Sequence, residues 1–233
     1  VVTSHSQLVA AQRTLRPARR RGRTAARAVL STYLTNPLLL EGRKLNVRAY
    51  YVVVAERGAF RAALLNDGMI GVAPSPYTVG SWHDMSVHDS RTLKIRDFRF
   101  PRDYPGGAPA AAAFFDRAAA ILTEVSRLAG HTVKPYDESD DGFELLGCDF
   151  MVDAATGRVW LIEINFKPGH AQLVSAEQDS LSRVVLSGIH QYVLGYPPPE
   201  GQPPCFRQVW PQPLIAQAPV GAAAAAVADG AVQ

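Results

Sequence analysis

A chain of 233 residues, 47% hydrophobic and 19% charged, has the composition of an ordinary globular protein and the length for one sizeable core with tails. No apolar run is long enough to span a membrane, and the two cysteines, Cys148 and Cys205, lack metal-like spacing and suit a reducing, cytoplasmic compartment. The net charge of +3 is uneven: residues 1–40 hold seven arginines and no acid, and the rest holds 17 basic and 21 acidic residues.

Residues 1–28 form a basic arm without apolar periodicity, open to three readings: a transit segment, a nucleic-acid tail or a phosphate-facing surface. The chain opens on Val1 rather than Met, which reads as a fragment or a processed form. Val29–Leu34 is a short β-type run, and Asn36-Pro37 breaks the chain. A strand is predicted over Leu45–Val54. Lys44, Asn46, Arg48 and Tyr50 share its even-numbered face. Two cations four residues apart on a buried strand are costly unless an anion meets them. The bland alternative is an edge strand with solvated Lys and Arg. Glu56-Arg57-Gly58 turns the chain into a second strand, Ala59–Leu65, carrying Arg61.

From Asn66 to Tyr104 the pattern is irregular and reads as a long loop. His83 and His88 within it read as ordinary surface polar residues. Ala108–Leu128 is a predicted helix, with Pro109 in its first turn and Gly130 beyond its end. A second helix is predicted from an N-cap at Ser175 to Leu194, stopped by Gly195 and three prolines. Residues 197–233, rich in proline and alanine, read as an extended tail.

Phe143–Asn165 reads as two apolar strands joined by the loop Ala155-Thr156-Gly157, with glycine where positive φ is needed. In that register Asp149 lies opposite Glu163, and Asn165 shares the face of Glu163. Two carboxylates and an amide converging on an apolar surface are the donor set of a hard divalent cation. Acids that simply face water are the alternative.

Three blocks occur together in order: YLTNPLLLEGRKLNVRAY (Tyr33–Tyr50), the strand with Arg61, and FELLGCDFMVD followed by WLIEIN. The series resembles the tubulin–tyrosine ligase-like family over residues 29–196. The resemblance implies an α+β, ATP-grasp-like fold: an antiparallel sheet with flanking helices, its N-terminal lobe missing or truncated, with residues 1–28 as arm or remnant. It implies Asp149, Glu163 and Asn165 as magnesium ligands, and Lys44 and Asn46 facing the nucleotide. Ser31, Thr32, Tyr33 and Leu34 would read the adenine edge. Arg48 and Arg61 would sit at the transferred phosphate and the substrate carboxylate. The implied cofactors are ATP and Mg2+. The implied activity is ATP-dependent ligation of a free amino acid (glutamate, tyrosine or glycine) to a protein carboxylate. The implied partner is an acidic, tubulin-like tail, which would place the protein in the cytoplasm near the cytoskeleton.

The sequence departs from the pattern in three places. Asn46 stands where the family has aspartate, Ser31-Thr32 replaces Gln-Lys, and Ser86-Val87-His88-Asp89 stands at the His-Leu-Thr-Asn motif. These departures keep a second expectation in view, a non-catalytic relative that serves as a binding or structural subunit. No aromatic interleaving or motif supports the nucleic-acid reading of the arm.

Overall fold

The computed structural model describes residues 31–56, 59–81, 83–88, 103–129, 141–166, 168 and 176–211. In chain order the elements are β1 (Leu39–Leu40), β2 (Arg43–Glu56), β3 (Ala59–Pro76), α1 (Met85–His88), α2 (Gly107–Ala129), β4 (Gly142–Val152), β5 (Val159–Phe166), α3 (Ala176–Tyr192) and β6 (Phe206–Trp210). The strands form one sheet in the order β5-β4-β2-β3-β6, with β1 beside β2, and every pairing is antiparallel.

The alternation within β2 builds the two faces. Leu45, Val47, Ala49 and Tyr51 pack under α2 with Phe114, Phe115, Ala118 and Leu122. Tyr50, Val52 and Val54 point the other way and meet Leu181 and Val185 of α3. Both faces are covered from Ala49 to Val54, which is why AYYVVV reads as a continuous apolar run. On the α2 side Phe114 stands edge-on to Phe150, ring centroids 5.7 Å apart, the geometry aromatic quadrupoles favour. Beneath them the Tyr51 hydroxyl meets Ser126 Oγ at 2.6 Å, which satisfies two buried polar groups together.

Both predicted helices form, over Gly107–Ala129 and Ala176–Tyr192. Gly195 adopts φ 75° just past the second. The expected N-cap Ser175, the arm and the turn at 57–58 lie outside the described residues. Ser31–Leu34, expected to be β-type, forms no strand.

Two expectations change. β3 does not end at Leu65 but runs on to Pro76, through residues expected in a loop. The pairing jumps from Tyr51↔Leu64 to Ala49↔Gly68, so residues 65–67 bulge opposite Tyr50 and break the period-two pattern. A Cβ on Gly68 would fall 2.3 Å from the carbonyl oxygen of Arg48, so only glycine lets the strands close up again there. The second change is at residues 206–210, expected in the tail. They form β6 and pair with Ala62–Leu65, so the sheet continues past the boundary drawn at 196.

The β4–β5 hairpin reaches the expected pairing by a different route. The loop is Ala154–Gly157, one residue longer than predicted, closed by Asp153 N–H donating to Arg158 O at 2.9 Å. Gly157 takes φ 64°. Asp153 Oδ1 accepts from the backbone N–H groups of Ala155 and Thr156, both at 2.9 Å. That loop alone would put Asp149 opposite Ile162. A bulge at Ile162 takes up one residue, and Asp149 pairs with Glu163.

Candidate active site

Lys44, Asn46 and Arg48 continue the α3-facing file of β2 beyond the part that α3 covers. Their odd-numbered neighbours Leu45, Val47 and Ala49 are fully buried under α2, which fixes the direction of the even set. One row then crosses four strands: Met69, Arg48, Asp149 and Glu163 are successive cross-strand partners. Tyr50, Gly147 and Asn165 form the next row.

Within this corner the side chains close on one another. Arg48 Nε donates to Asp149 Oδ1 at 2.5 Å and Nη2 to Oδ2 at 2.8 Å, a bidentate pair. Asn165 Nδ2 donates to Asp149 Oδ2 at 2.9 Å and to Glu163 Oε1 at 3.0 Å. Asp149 is 8% exposed, whereas Glu163 is open to solvent. The hydrogen bond to Asp149 holds the Arg48 guanidinium above its ordinary pKa, against the pull of burial. Burial pushes Tyr50 up to about 12 and the Cys148 thiol, on the other face, up to about 12.

Gly147 was not singled out by sequence reasoning, yet a Cβ there would lie 2.9 Å from Pro168 Cβ and 3.0 Å from Arg48 Cδ. Its absence gives the arginine its path to Asp149. The available signal was a lone glycine inside an apolar strand.

Lys44 lies four residues from Arg48, about 13 Å along the strand. Its Nζ stands 5.2 Å from the centroid of the Tyr33 ring, and burial lowers its pKa. Tyr33 in turn meets His88, hydroxyl to Nδ1 at 3.4 Å, and Tyr77 packs edge-on to the same imidazole. His88 Nε2 is 2.7 Å from Ser81 O. His88 is therefore a half-buried member of an aromatic cluster rather than a surface polar residue, while His83 is exposed. Tyr33 ties the segment 31–34 to the Lys44 end of the face. Ser31 and Thr32 are exposed and Leu34 is half-buried. Asn46 is opposite Gly71.

Arg61 is elsewhere. It pairs with Val54, six residues along β2 from Arg48, about 20 Å away. Its Nη1 donates to Tyr192 O at 2.5 Å and its guanidinium lies 4.7 Å from the Tyr192 ring centroid. Arg61 lies on the same sheet face as Arg48, since its partner Val54 belongs to the even-numbered file of β2. The position along it puts Arg61 at the C-terminus of α3, where it caps free carbonyls.

Residues 4–89 match the family model described as Tubulin-tyrosine ligase family, and residues 108–194 match YheC/D like ATP-grasp. The two matches take in every candidate residue and the hairpin that carries the acids. Over these two stretches the chain is similar to tubulin–tyrosine ligase and ATP-grasp proteins. Its six-stranded antiparallel sheet with flanking helices is the α+β architecture expected. Both families imply ATP-dependent carboxylate–amine ligase activity, with ATP and Mg2+ as general requirements. No helix among the described residues is long and apolar enough to cross a membrane.

The donor set fits magnesium. Asn165 Nδ2 lies within 3.0 Å of both carboxylates, so the two acids already converge on one partial positive charge. Among the described residues no three His, Cys, Asp or Glu side chains come together as a metal site. Two acids and an amide leave the remaining positions for phosphate oxygens and water, the arrangement Mg2+ prefers.

Proposed function

We propose that the chain joins a free amino acid to a protein carboxylate at the expense of ATP, through an acyl phosphate. The observation that carries this reading is the Arg48–Asp149–Glu163 row, bridged by Asn165, on the part of the sheet face that α3 does not cover. Asp149, Glu163 and Asn165 would hold the cation. Bound there, Mg2+ would supply charge neutralisation at the phosphates. A substrate carboxylate oxygen attacks the γ-phosphorus, the bond to the bridging oxygen breaks and ADP leaves. The amine nitrogen of the amino acid then attacks the acyl carbon. The carbon–oxygen bond to phosphate breaks, phosphate departs and the amine gives up a proton, leaving an amide. Lys44 and Arg48 offset charge that develops on the phosphoryl oxygens.

For the acceptor we propose an acidic protein tail of the tubulin kind, with glutamate, tyrosine or glycine as the added residue, and hence an association with the cytoskeleton. The acid-free arm with its seven arginines supports a negative partner through long-range attraction. The test is mass spectrometry of a glutamate-rich peptide incubated with Mg-ATP and each amino acid. Asp149→Asn and Glu163→Gln should each abolish the added mass, and an unchanged yield in both would overturn the assignment.

The engagement of Arg61 at α3, together with Asn46, favours a second reading, a non-catalytic relative that uses this face for binding. Thermal unfolding with Mg-ATP separates the two at the first step. Ligand at a hundred times its dissociation constant adds roughly 2.7 kcal/mol of stability. Absence of any shift would favour the non-catalytic reading.

A further inference from the structure

We infer that Arg48 makes the acidic corner selective for a divalent cation that arrives with phosphate, over the free cation. The inference rests on the reading of Asp149, Glu163 and Asn165 as a cation site. Both Asp149 oxygens and the Asn165 amide are already engaged at that corner. Asp149 Oδ1 accepts from Arg48 Nε, and Oδ2 accepts from both Arg48 Nη2 and Asn165 Nδ2. Asn165 also turns its N–H2 end to Glu163, whereas a cation needs the opposite, carbonyl end of that amide.

Loading a cation therefore requires two changes from this chain. Asn165 rotates its amide to present Oδ1. Arg48 releases a charge-assisted, bidentate pair whose side chains are only 22% and 12% exposed. Released alone, the half-buried guanidinium would lack an anion, which is the expensive outcome for a pair of this kind. A nucleotide removes that cost, because its phosphate oxygens accept the same two N–H groups. Lys44 is too far along β2 to take over at Asp149. Cation and phosphate thus strengthen each other's binding through one side chain, and the coupling is reciprocal. Gly147 leaves the guanidinium the room to lie over β4, since a Cβ would come within 3.1 Å of Arg48 Nη1.

The experiment is a Mn2+ titration of the 233-residue chain followed by EPR of the free ion, with and without a non-hydrolysable ATP analogue. Without nucleotide, Arg48→Met should bind Mn2+ at least roughly tenfold more tightly than wild type, the scale of coupling in a close charge pair. Arg48→Lys, a monodentate partner, should fall between them and serves if Arg48→Met does not fold. With the analogue the wild type should tighten on Mn2+ and Arg48→Met should gain much less. Equal Mn2+ affinity in wild type and both variants without nucleotide overturns the inference. Glu163→Gln checks the underlying site: if wild type with the analogue retains no more Mn2+ than Glu163→Gln, the cation-site reading itself fails.

Discussion

At the scale of single residues, Gly147 and Lys44 lead to separate expectations. Gly147→Ala places a methyl 2.9 Å from Pro168 Cβ and 3.0 Å from Arg48 Cδ. Overpacking of this kind costs about 1–3 kcal/mol. A urea midpoint shift should show it, with the slope unchanged. An unaltered midpoint would mean that Arg48 moves aside freely. For Lys44 the sign follows from burial, which lowers its pKa. The folded chain gives up this proton before the unfolded chain does. Stability due to Lys44 therefore rises with pH through that window, while its attraction for phosphate falls. Affinity for ATP should accordingly drop on the alkaline side below the usual lysine range, and Lys44→Met should remove that limb. An identical pH profile in the variant would detach Lys44 from the nucleotide.

Arg61 argues the same point from the opposite side. Its contacts with Tyr192 O, Val193 O and the Tyr192 ring belong to the end of α3. Arg61→Met should lower stability by about 1 kcal/mol, the scale of a capping contact, and leave ATP affinity as it was. Loss of affinity without loss of stability would restore Arg61 to the site.

At the scale of elements, the packing of α3 on the sheet is tight at one point. A Cβ on Gly188 would approach the Phe206 ring to 2.5 Å, so this glycine lets β6 slide under the helix. Gly188→Ala should loosen α3 and β6 together, read as faster amide exchange in both elements. Protection lost from only one of them would show that they open independently. The hairpin carries a lesson of its own. Its apolar flanks, its glycine and its acids were legible in sequence, because a strand's period and a turn's φ are local properties. The bulge at Ile162 was not. An inserted residue leaves the composition of β5 unchanged and is specified only by what lies across the ladder. Leu161 and Ile164 both reach the α2 side, which a regular strand forbids and the bulge permits.

At the scale of the whole molecule, the sheet divides its labour. One face is filled by α2. The other is filled by α3 at one end and carries Lys44, Asn46, Arg48, Asp149, Glu163 and Asn165 at the other. The charge divides as well, with a basic arm ahead of a net-acidic remainder. If the arm recruits an acidic acceptor, binding of a glutamate-rich peptide should weaken steeply between low and physiological salt. Replacing Arg19, Arg20 and Arg21 by glutamine should flatten that dependence. Fluorescence anisotropy measures both, and a salt slope unaffected by the replacement would remove the arm from recognition.

The sequence by itself determined which candidate residues of β2 and of the β4–β5 hairpin share a face, because alternation, capping and turn formation act over a few residues. It placed Asp149 opposite Glu163 and aligned Lys44, Asn46 and Arg48. Tertiary structure alone decided how those groups are engaged. The grip of Arg48 on Asp149, the space left by Gly147, the enclosure of His88 by Tyr33 and Tyr77, and the removal of Arg61 to α3 all depend on contacts between residues distant in the chain. Such contacts follow from strand register and from the area each face must bury, and no local pattern encodes either.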